Sequence, residues 1–161
     1  MMNLRRGFTL IELMVVCLII GIIVAIAVPL LLRNRMGANE AGAIAALRTI
    51  SSAEIGYKAS AIKDEDNDGE GEFATLEELG NPTEGSAPFI DSSLASGIKE
   101  GYRFTVTLVP PSGNLPPGYG ARGVPLVDSK TGVRKFYIND SNVIRFTADG
   151  TEPGPESTPL N

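Results

Sequence analysis

The sequence contains no histidine and only one cysteine, Cys17, among its 161 residues. The lack of histidine excludes histidine-based catalytic triads, histidine general bases and histidine metal ligands. No glycine-rich phosphate loop, Ser-Lys pair or cysteine nucleophile pattern takes their place, so the sequence predicts a protein that is not an enzyme. One cysteine cannot form an intramolecular disulfide, and the water-facing part of the chain is therefore expected to be held by packing or by a metal ion.

Basic residues are too scattered to form a nucleic-acid surface. The formal net charge is −5, and the acidic excess lies after the long apolar segment. Neutralising phosphates requires clustered lysine and arginine, so we expect no direct nucleic-acid binding. Aromatic residues make up 6% of the chain, which gives no support for electron conduction through closely spaced rings.

Residues 13–32 contain no charged side chain, whereas the chain after Arg33 has the composition of a water-soluble domain rich in glycine and proline. About 20 helical residues at about 1.5 Å each cross a hydrocarbon layer of about 30 Å. The segment is longer than the apolar part of a cleaved signal peptide, although residues 25–27 match a small-x-small cleavage pattern. A plain membrane anchor is the second interpretation. Neither explains Glu12, an acid with apolar neighbours on both sides in sequence, which is costly inside a membrane.

A third interpretation accounts for Glu12. Residues 7–12 read Gly-Phe-Thr-Leu-Ile-Glu and follow a short leader that contains Arg5 and Arg6. This stretch resembles the cleavage and methylation signature of type IV prepilins. That signature is a short basic leader ending in Gly, followed by Phe, a small polar residue, Leu, Ile or Val, and Glu. Every position matches here, directly before an apolar segment of membrane-spanning length.

The resemblance implies that a prepilin peptidase cuts between Gly7 and Phe8 and methylates the new amine of Phe8. It also implies that Glu12 acts in filament assembly. In a staggered bundle of such helices, Glu12 of one subunit meets the Phe8 amine of the next, so neither charge is buried singly. In pilins a Gly-to-Pro stretch at this place can lose helicity in the filament, and the resemblance implies the same between Gly21 and Pro29. The alternative is a static kink at Pro29.

The domain organisation follows from these segments. We expect a removed leader at residues 1–7, an apolar transmembrane and assembly helix at 8–32, its amphipathic continuation at 33–62, and a globular head with an extended C-terminal tail at 63–161. Apolar and small residues cover two adjoining sides of the continuation, so one side can pack on the head and the other on neighbouring helices. The predicted fold class is α+β. A long helix packed against a small antiparallel sheet is the pilin architecture that the resemblance implies.

Acidic residues are concentrated directly after the predicted helix. Residues 64–69 match the first half of an EF-hand calcium loop, in which alternate carboxylates surround one cation and glycine permits the turn. The twelfth position, where a bidentate glutamate is expected, is Thr75. The segment is therefore either a calcium site or a solvated acidic turn, and no other cofactor is expected. The candidate calcium ligands are Asp64, Asp66, Asp68 and Glu72.

Shorter patterns organise the head. Residues 102–109 alternate and predict the clearest strand. Residues 134–138 and 143–147 flank a turn and predict a hairpin. The remaining expectations are a short helix at 75–80, an irregular loop at 110–123, a strand at 124–128 and a patternless tail at 151–161. We therefore predict three or four strands.

These observations predict a structural subunit of a type IV pilus-like filament, with adhesion, twitching motility or DNA uptake as roles of the whole system. The alternatives are a pseudopilin of type II secretion, which shares the signature, and a monomeric membrane-anchored binding domain. The implied partners are other copies of the chain, the prepilin peptidase, the inner-membrane assembly machinery and, before assembly, the membrane. The implied location is the bacterial inner membrane for the single-pass precursor, followed by a filament that spans the periplasm or extends outside the cell.

Overall fold

The structure is a computed structural model that describes residues 7–64, 69–82, 86–111 and 116–160. The chain divides into two compact units, Met1–Arg35 and Met36–Asn161, and helix α1 has residues in both. The described helices are α1 (Leu10–Ser60), α2 (Leu76–Gly80) and α3 (Ser92–Ala95). The described strands are β1 (Ile98–Lys99), β2 (Tyr102–Val109), β3 (Gly118–Pro125), β4 (Lys135–Asn139), β5 (Arg145–Thr147) and β6 (Thr158–Pro159).

The described strands form one antiparallel sheet in the order β1-β2-β3-β4-β5-β6, so each strand pairs with its neighbours in sequence. The longest pairing joins β2 and β3, from Tyr102 opposite Pro125 to Val109 opposite Gly118. The predicted hairpin is present as β4 and β5, with Phe136 opposite Phe146. Antiparallel neighbours need only short connections, which suits a meander of this size. The α+β fold class is confirmed.

One face of α1 packs on the sheet. Its buried positions recur every three or four residues, which places them on a single stripe of the helix. This buried stripe consists of Glu40, Ala43, Ala46, Leu47, Ile50, Ser51, Ala53, Glu54 and Tyr57. Its apolar members share a core with side chains of α2 and the sheet, among them Leu79, Tyr102, Phe104, Tyr119, Phe136 and Ile138. Burying an apolar side chain of this size contributes about 1.5–3 kcal/mol, so packing against α1 holds the head together.

A capping box starts α2, as the pattern at residues 75–80 predicts. The backbone N–H of Glu78 donates to Thr75 Oγ1 at 3.3 Å, and the Thr75 N–H donates to the Glu78 carboxylate at 2.7 Å. The two residues thus satisfy two backbone donors that a helix start would otherwise leave unpaired. The apolar side chains Leu76 and Leu79 then enter the core.

Strand β3 corrects the sequence-based expectation of a loop at residues 110–123 and a strand at 124–128. The strand is Gly118–Pro125, and two of its glycines, Gly120 and Gly123, lie against aromatic side chains of the neighbouring strands. A Cβ at Gly120 would lie 2.8 Å from the Tyr137 hydroxyl, and one at Gly123 would lie 3.1 Å from the Phe104 ring. Glycine is therefore required here because neighbouring side chains approach the strand closely. A sequence pattern does not distinguish such a glycine from one that forms a loop.

The C-terminal segment also differs from the expected extended tail. Thr158 and Pro159 form β6 against β5, and the Leu160 N–H donates to the Ile144 carbonyl at 2.7 Å. Leu160 packs against the core, and Pro153 is buried. The described residues form six strands, so the expectation of three or four is too low. The two-residue strands β1 and β6 are too short to produce a periodic pattern in the sequence.

Candidate processing and assembly site

The expected cleavage site lies outside the helix. Gly7, Phe8 and Thr9 precede the first residue of α1, and all three are exposed, with Phe8 83% accessible. A Cβ built on Gly7 would meet no atom within 4 Å among the described residues. Nothing in the described fold therefore requires glycine at this position. A requirement for Gly7 would have to come from a protein that binds the segment.

Thr9 and Glu12 form a capping box at the start of α1. The backbone N–H and the hydroxyl of Thr9 both donate to Glu12 Oε2, at 2.9 and 2.7 Å, and the Glu12 N–H donates to Thr9 Oγ1 at 3.3 Å. This is the reciprocal arrangement of a Thr-x-x-Glu helix start. Thr9 is a functional candidate that the sequence interpretation missed. The Thr-x-x-Glu spacing before an apolar segment was the signal that could have revealed it.

The capping box gives Glu12 hydrogen-bond donors within its own chain. These donors come from Thr9, which lies on the C-terminal side of the expected cut, so cleavage between Gly7 and Phe8 would leave the cap in place. Glu12 Oε2 accepts both of the bonds from Thr9. Because a carboxylate has about four lone-pair positions on two oxygens, Glu12 can keep its cap and still accept an amine from elsewhere. The pairing of Glu12 with a neighbouring Phe8 remains a prediction.

The first part of α1 presents apolar side chains that the chain itself does not cover. All described side chains from Leu10 to Leu32 are exposed, including Leu18 at 65% and Ile26 at 68%. Among the described residues, α1 is the helix that is long and apolar enough to cross a membrane. The helix is continuous through Gly21 and Pro29. Loss of helicity there in a filament also remains a prediction.

Comparison with known proteins addresses this same segment. Residues 2–28 match the family model described as the prokaryotic N-terminal methylation motif. The chain carries the type IV prepilin and pseudopilin signature. The matched range includes Gly7, Phe8 and Glu12 together with most of the apolar part of α1. No match was found among curated proteins or among solved structures. The prepilin signature and the exposed apolar helix together fit a membrane-anchored precursor.

Beyond the prepilin signature, α1 has a second exposed stripe opposite the sheet. Small side chains dominate it, and Ile55 is 55% exposed within it. Small residues let two helices approach closely. The exposed residues along this stripe are Ala41, Ala45, Arg48, Ser52, Ile55 and Ala59. One side of the helix thus packs on the head and another is exposed, and contacts of the exposed side with neighbouring helices remain a prediction.

Glu40 fastens the β3–β4 connection to α1. Its carboxylate accepts the N–H groups of Val133 and Arg134 at 2.9 and 3.1 Å and the Arg134 Nε–H at 2.8 Å. Burial alone would raise the pKa of Glu40, but these hydrogen bonds and the Arg134 charge together hold it below the ordinary value of 4.5. Asn39, the preceding residue, donates to the Thr131 carbonyl at 2.8 Å. The head is thus fixed to the helix at the N-terminal end of the buried stripe.

The predicted calcium ligands fall partly outside the described residues. Asp66 and Asp68 are among the residues that the structure does not describe, as are leader residues 1–6. Asp64 Oδ2 accepts the Gly69 N–H at 3.2 Å, and the Glu72 N–H donates to the Lys63 carbonyl at 2.9 Å. Within the described ranges, no group of three or more acidic, cysteine or histidine side chains is placed to hold a metal ion. Calcium binding by Asp64, Asp66, Asp68 and Glu72 remains a prediction.

Proposed function

We propose that this chain is a structural subunit of a type IV pilus-like filament. The precursor is held in the bacterial inner membrane by α1, cut between Gly7 and Phe8 by a prepilin peptidase, and methylated on the Phe8 amine. The mature subunits then polymerise through α1. The observation that carries the proposal is an uncovered apolar helix that begins at Leu10, just after an exposed Gly-Phe bond, and holds Glu12 of its first turn in a capping box with Thr9.

A plain membrane anchor would account for the apolar side chains but not for Glu12. A carboxylate within a membrane helix is costly and is usually retained for a function. In a filament, the bundle of α1 helices replaces lipid around the apolar side chains. The cut generates a positive amine on Phe8, four residues before Glu12. Pairing this amine with Glu12 of a neighbouring copy removes two unpaired charges and sets the stagger between subunits.

The pseudopilin of type II secretion is the second candidate. The acidic segment at residues 64–72 leans slightly toward this candidate, because the resemblance includes calcium-binding pseudopilins, although the calcium loop of that group generally lies near the C-terminal sheet. Deleting the gene separates the two candidates. Loss of sheared surface filaments with secretion intact supports the pilus. Loss of secretion without loss of surface filaments supports the pseudopilin.

The experiment that tests the processing step is mass analysis of the N-terminus in the sheared surface fraction. We expect a chain that begins with N-methylated Phe8. Gly7→Val should leave an uncut precursor in the membrane fraction, and the described fold gives no structural reason for that change to unfold the chain. A mature N-terminus at Val28 would contradict the proposal, because it would identify residues 1–27 as an ordinary signal peptide.

A further inference from the structure

Glu54 is a fully buried acid that the proposed function does not use. It lies near the C-terminal end of α1 on the buried stripe, and its exposed fraction is 0%. Oε2 accepts the backbone N–H of Ala74 at 2.9 Å. Oε1 is buried and has no hydrogen-bond partner among the described residues. A carboxylate in this position would hold a charge and an unsatisfied oxygen in the protein interior, both of which are unfavourable.

Glu40, at the other end of the same stripe, shows what a buried carboxylate receives when it is ionised. Glu40 accepts three hydrogen bonds, and one comes from the guanidinium of Arg134. Glu54 accepts one backbone hydrogen bond, and no ion pair to it is present in the described part of the chain. The two environments therefore favour opposite protonation states, ionised for Glu40 and neutral for Glu54.

The groups that face Glu54 reinforce its neutral state. Burial raises the pKa of Glu54 to about 7, the hydrogen bond from Ala74 opposes this rise, and the negative charge of Glu78 on α2 adds to it. Two lysines lie close to this region, and each is paired with an acid: Lys58 with Glu70 at 3.3 Å and Lys63 with Glu78 at 3.2 Å. Tyr57 on α1 and Tyr119 on β3 also face Glu54, and their hydroxyls are neutral groups whose own pKa values burial raises.

The segment held by Glu54 connects the acidic residues after α1 to α2. It approaches α1 so closely that a Cβ on Gly71 would overlap the carbonyl oxygen of Lys58. Phe73 packs its ring against Tyr119 with 4.9 Å between centroids. Ala74, between these contacts and α2, is fully buried and gives its N–H to Glu54. We call residues 71–80, from Gly71 to the end of α2, the docked segment.

We propose that Glu54 is a proton-operated latch for the docked segment. With the proton bound, Glu54 is a neutral side chain that accepts the Ala74 N–H and sits in the core without a charge. Loss of the proton to water places an uncompensated negative charge between α1 and the docked segment, opposite Glu78. The charge is relieved when the segment moves away and water reaches Glu54. The docked segment is therefore held most firmly in acid and opens more readily as the pH approaches neutrality.

The test is amide hydrogen exchange of the full chain in detergent micelles, read at Ala74 and Leu79 and expressed as protection factors, which remove the intrinsic pH dependence of exchange. If Glu54 titrates near 7 when the segment is docked and near 4.5 when it is open, protection should fall about tenfold per pH unit between those values and level off above them. Glu54→Gln, a neutral isostere, should give a flat profile. Glu40→Gln is the matched control and should keep the wild-type profile.

Three outcomes would overturn the proposal: a flat wild-type profile, an unchanged fall in Glu54→Gln, or a flat profile in Glu40→Gln. The wild-type chain also provides a measurement that does not depend on any variant folding. The ¹³C chemical shift of the Glu54 carboxyl should titrate well above 4.5. Titration at the ordinary glutamate value would show that Glu54 ionises without constraint, and the latch would be excluded.

Discussion

Both parts of α1 carry apolar residues, but these residues are exposed in the first part and many are buried in the second. Between Leu10 and Leu32 every described side chain is exposed, whereas between Glu40 and Tyr57 one stripe is buried against the sheet. The difference follows the composition of the helix, because residues 13–32 carry no charge whereas charged and small residues are interspersed in the part that packs on the sheet. The first part is therefore expected to find its apolar surroundings outside the chain, first in lipid and then among other copies.

The acids of α1 sharpen the comparison. Glu12 is exposed and bonded to Thr9, Glu40 is buried and bound to Arg134, and Glu54 is buried with one oxygen unsatisfied among the described residues. Each arrangement corresponds to a different use of a carboxylate. Glu12 can still accept a partner, Glu40 fixes the head to the helix, and Glu54 favours a bound proton.

Matched leucine substitutions should give the largest difference between the two ends. Leu47 is fully buried, so Leu47→Ala should lower the free energy of unfolding of the head by about 2–5 kcal/mol. Leu18 is 65% exposed, so Leu18→Ala should leave that free energy unchanged. Denaturant titration of both variants in micelles, followed by the near-ultraviolet signal of the head tyrosines, measures the difference. Equal destabilisation would break the comparison, because the first part of α1 would then be part of the folded core.

The two buried acids should give opposite pH dependence. Because the pKa of Glu40 lies below 4.5, its ionised form stabilises the fold above that pH, and the stabilisation is lost as the pH falls. The pKa of Glu54 is raised from 4.5 to about 7, so its contribution is complete below 4.5 and decreases by about 3 kcal/mol as the pH rises to 7. The stability of each variant should be measured from pH 3 to 8. Glu40→Gln should lose the decrease in stability at acid pH, and Glu54→Gln should lose the decrease toward neutral pH. Loss of the same slope in both variants would contradict the assignment.

The smallest effect concerns calcium. The double variant Asp66→Ala and Asp68→Ala should lower the melting temperature of the head only when calcium is present, because both carboxylates are predicted ligands. A weak extracellular-type site in about tenfold excess calcium stabilises by only about 1 kcal/mol. If a chelator leaves the melting temperature of the wild-type head unchanged, residues 64–72 are a solvated acidic turn.

The sequence predicted the features that rest on composition and spacing. The apolar segment, the prepilin signature, β2 and the β4–β5 hairpin all have local patterns, and the structure contains each of them. Strand β3 was missed because its glycines serve Phe104 and Tyr137 on neighbouring strands, which is a tertiary reason for a residue that locally favours loops. The roles of Glu40 and Glu54 were missed for a similar reason. Two glutamates on a helix differ only through Arg134 and Ala74, which are distant in sequence.

Filament yield for two substitutions at Glu12 tests the central claim most directly. Glu12→Gln keeps an oxygen that can accept the hydrogen bonds from Thr9 but removes the negative charge. Glu12→Ala removes both the oxygen and the charge. Both variants should enter the membrane and be cut after Gly7, since each removes a charge from the apolar helix. If the Phe8 amine of a neighbouring copy pairs with the charge of Glu12, both should yield few or no sheared filaments, because that amine is left buried and unpaired.

The measurement is the amount of processed chain in the sheared fraction relative to the cell-bound fraction, compared with wild type. The account predicts a severe loss for Glu12→Gln as well as for Glu12→Ala. Wild-type filament yield from Glu12→Gln would contradict it, because capping of α1 by Thr9 would then be the whole contribution of Glu12. Wild-type yield from Glu12→Ala would contradict it further, because Glu12 would then have no part in assembly.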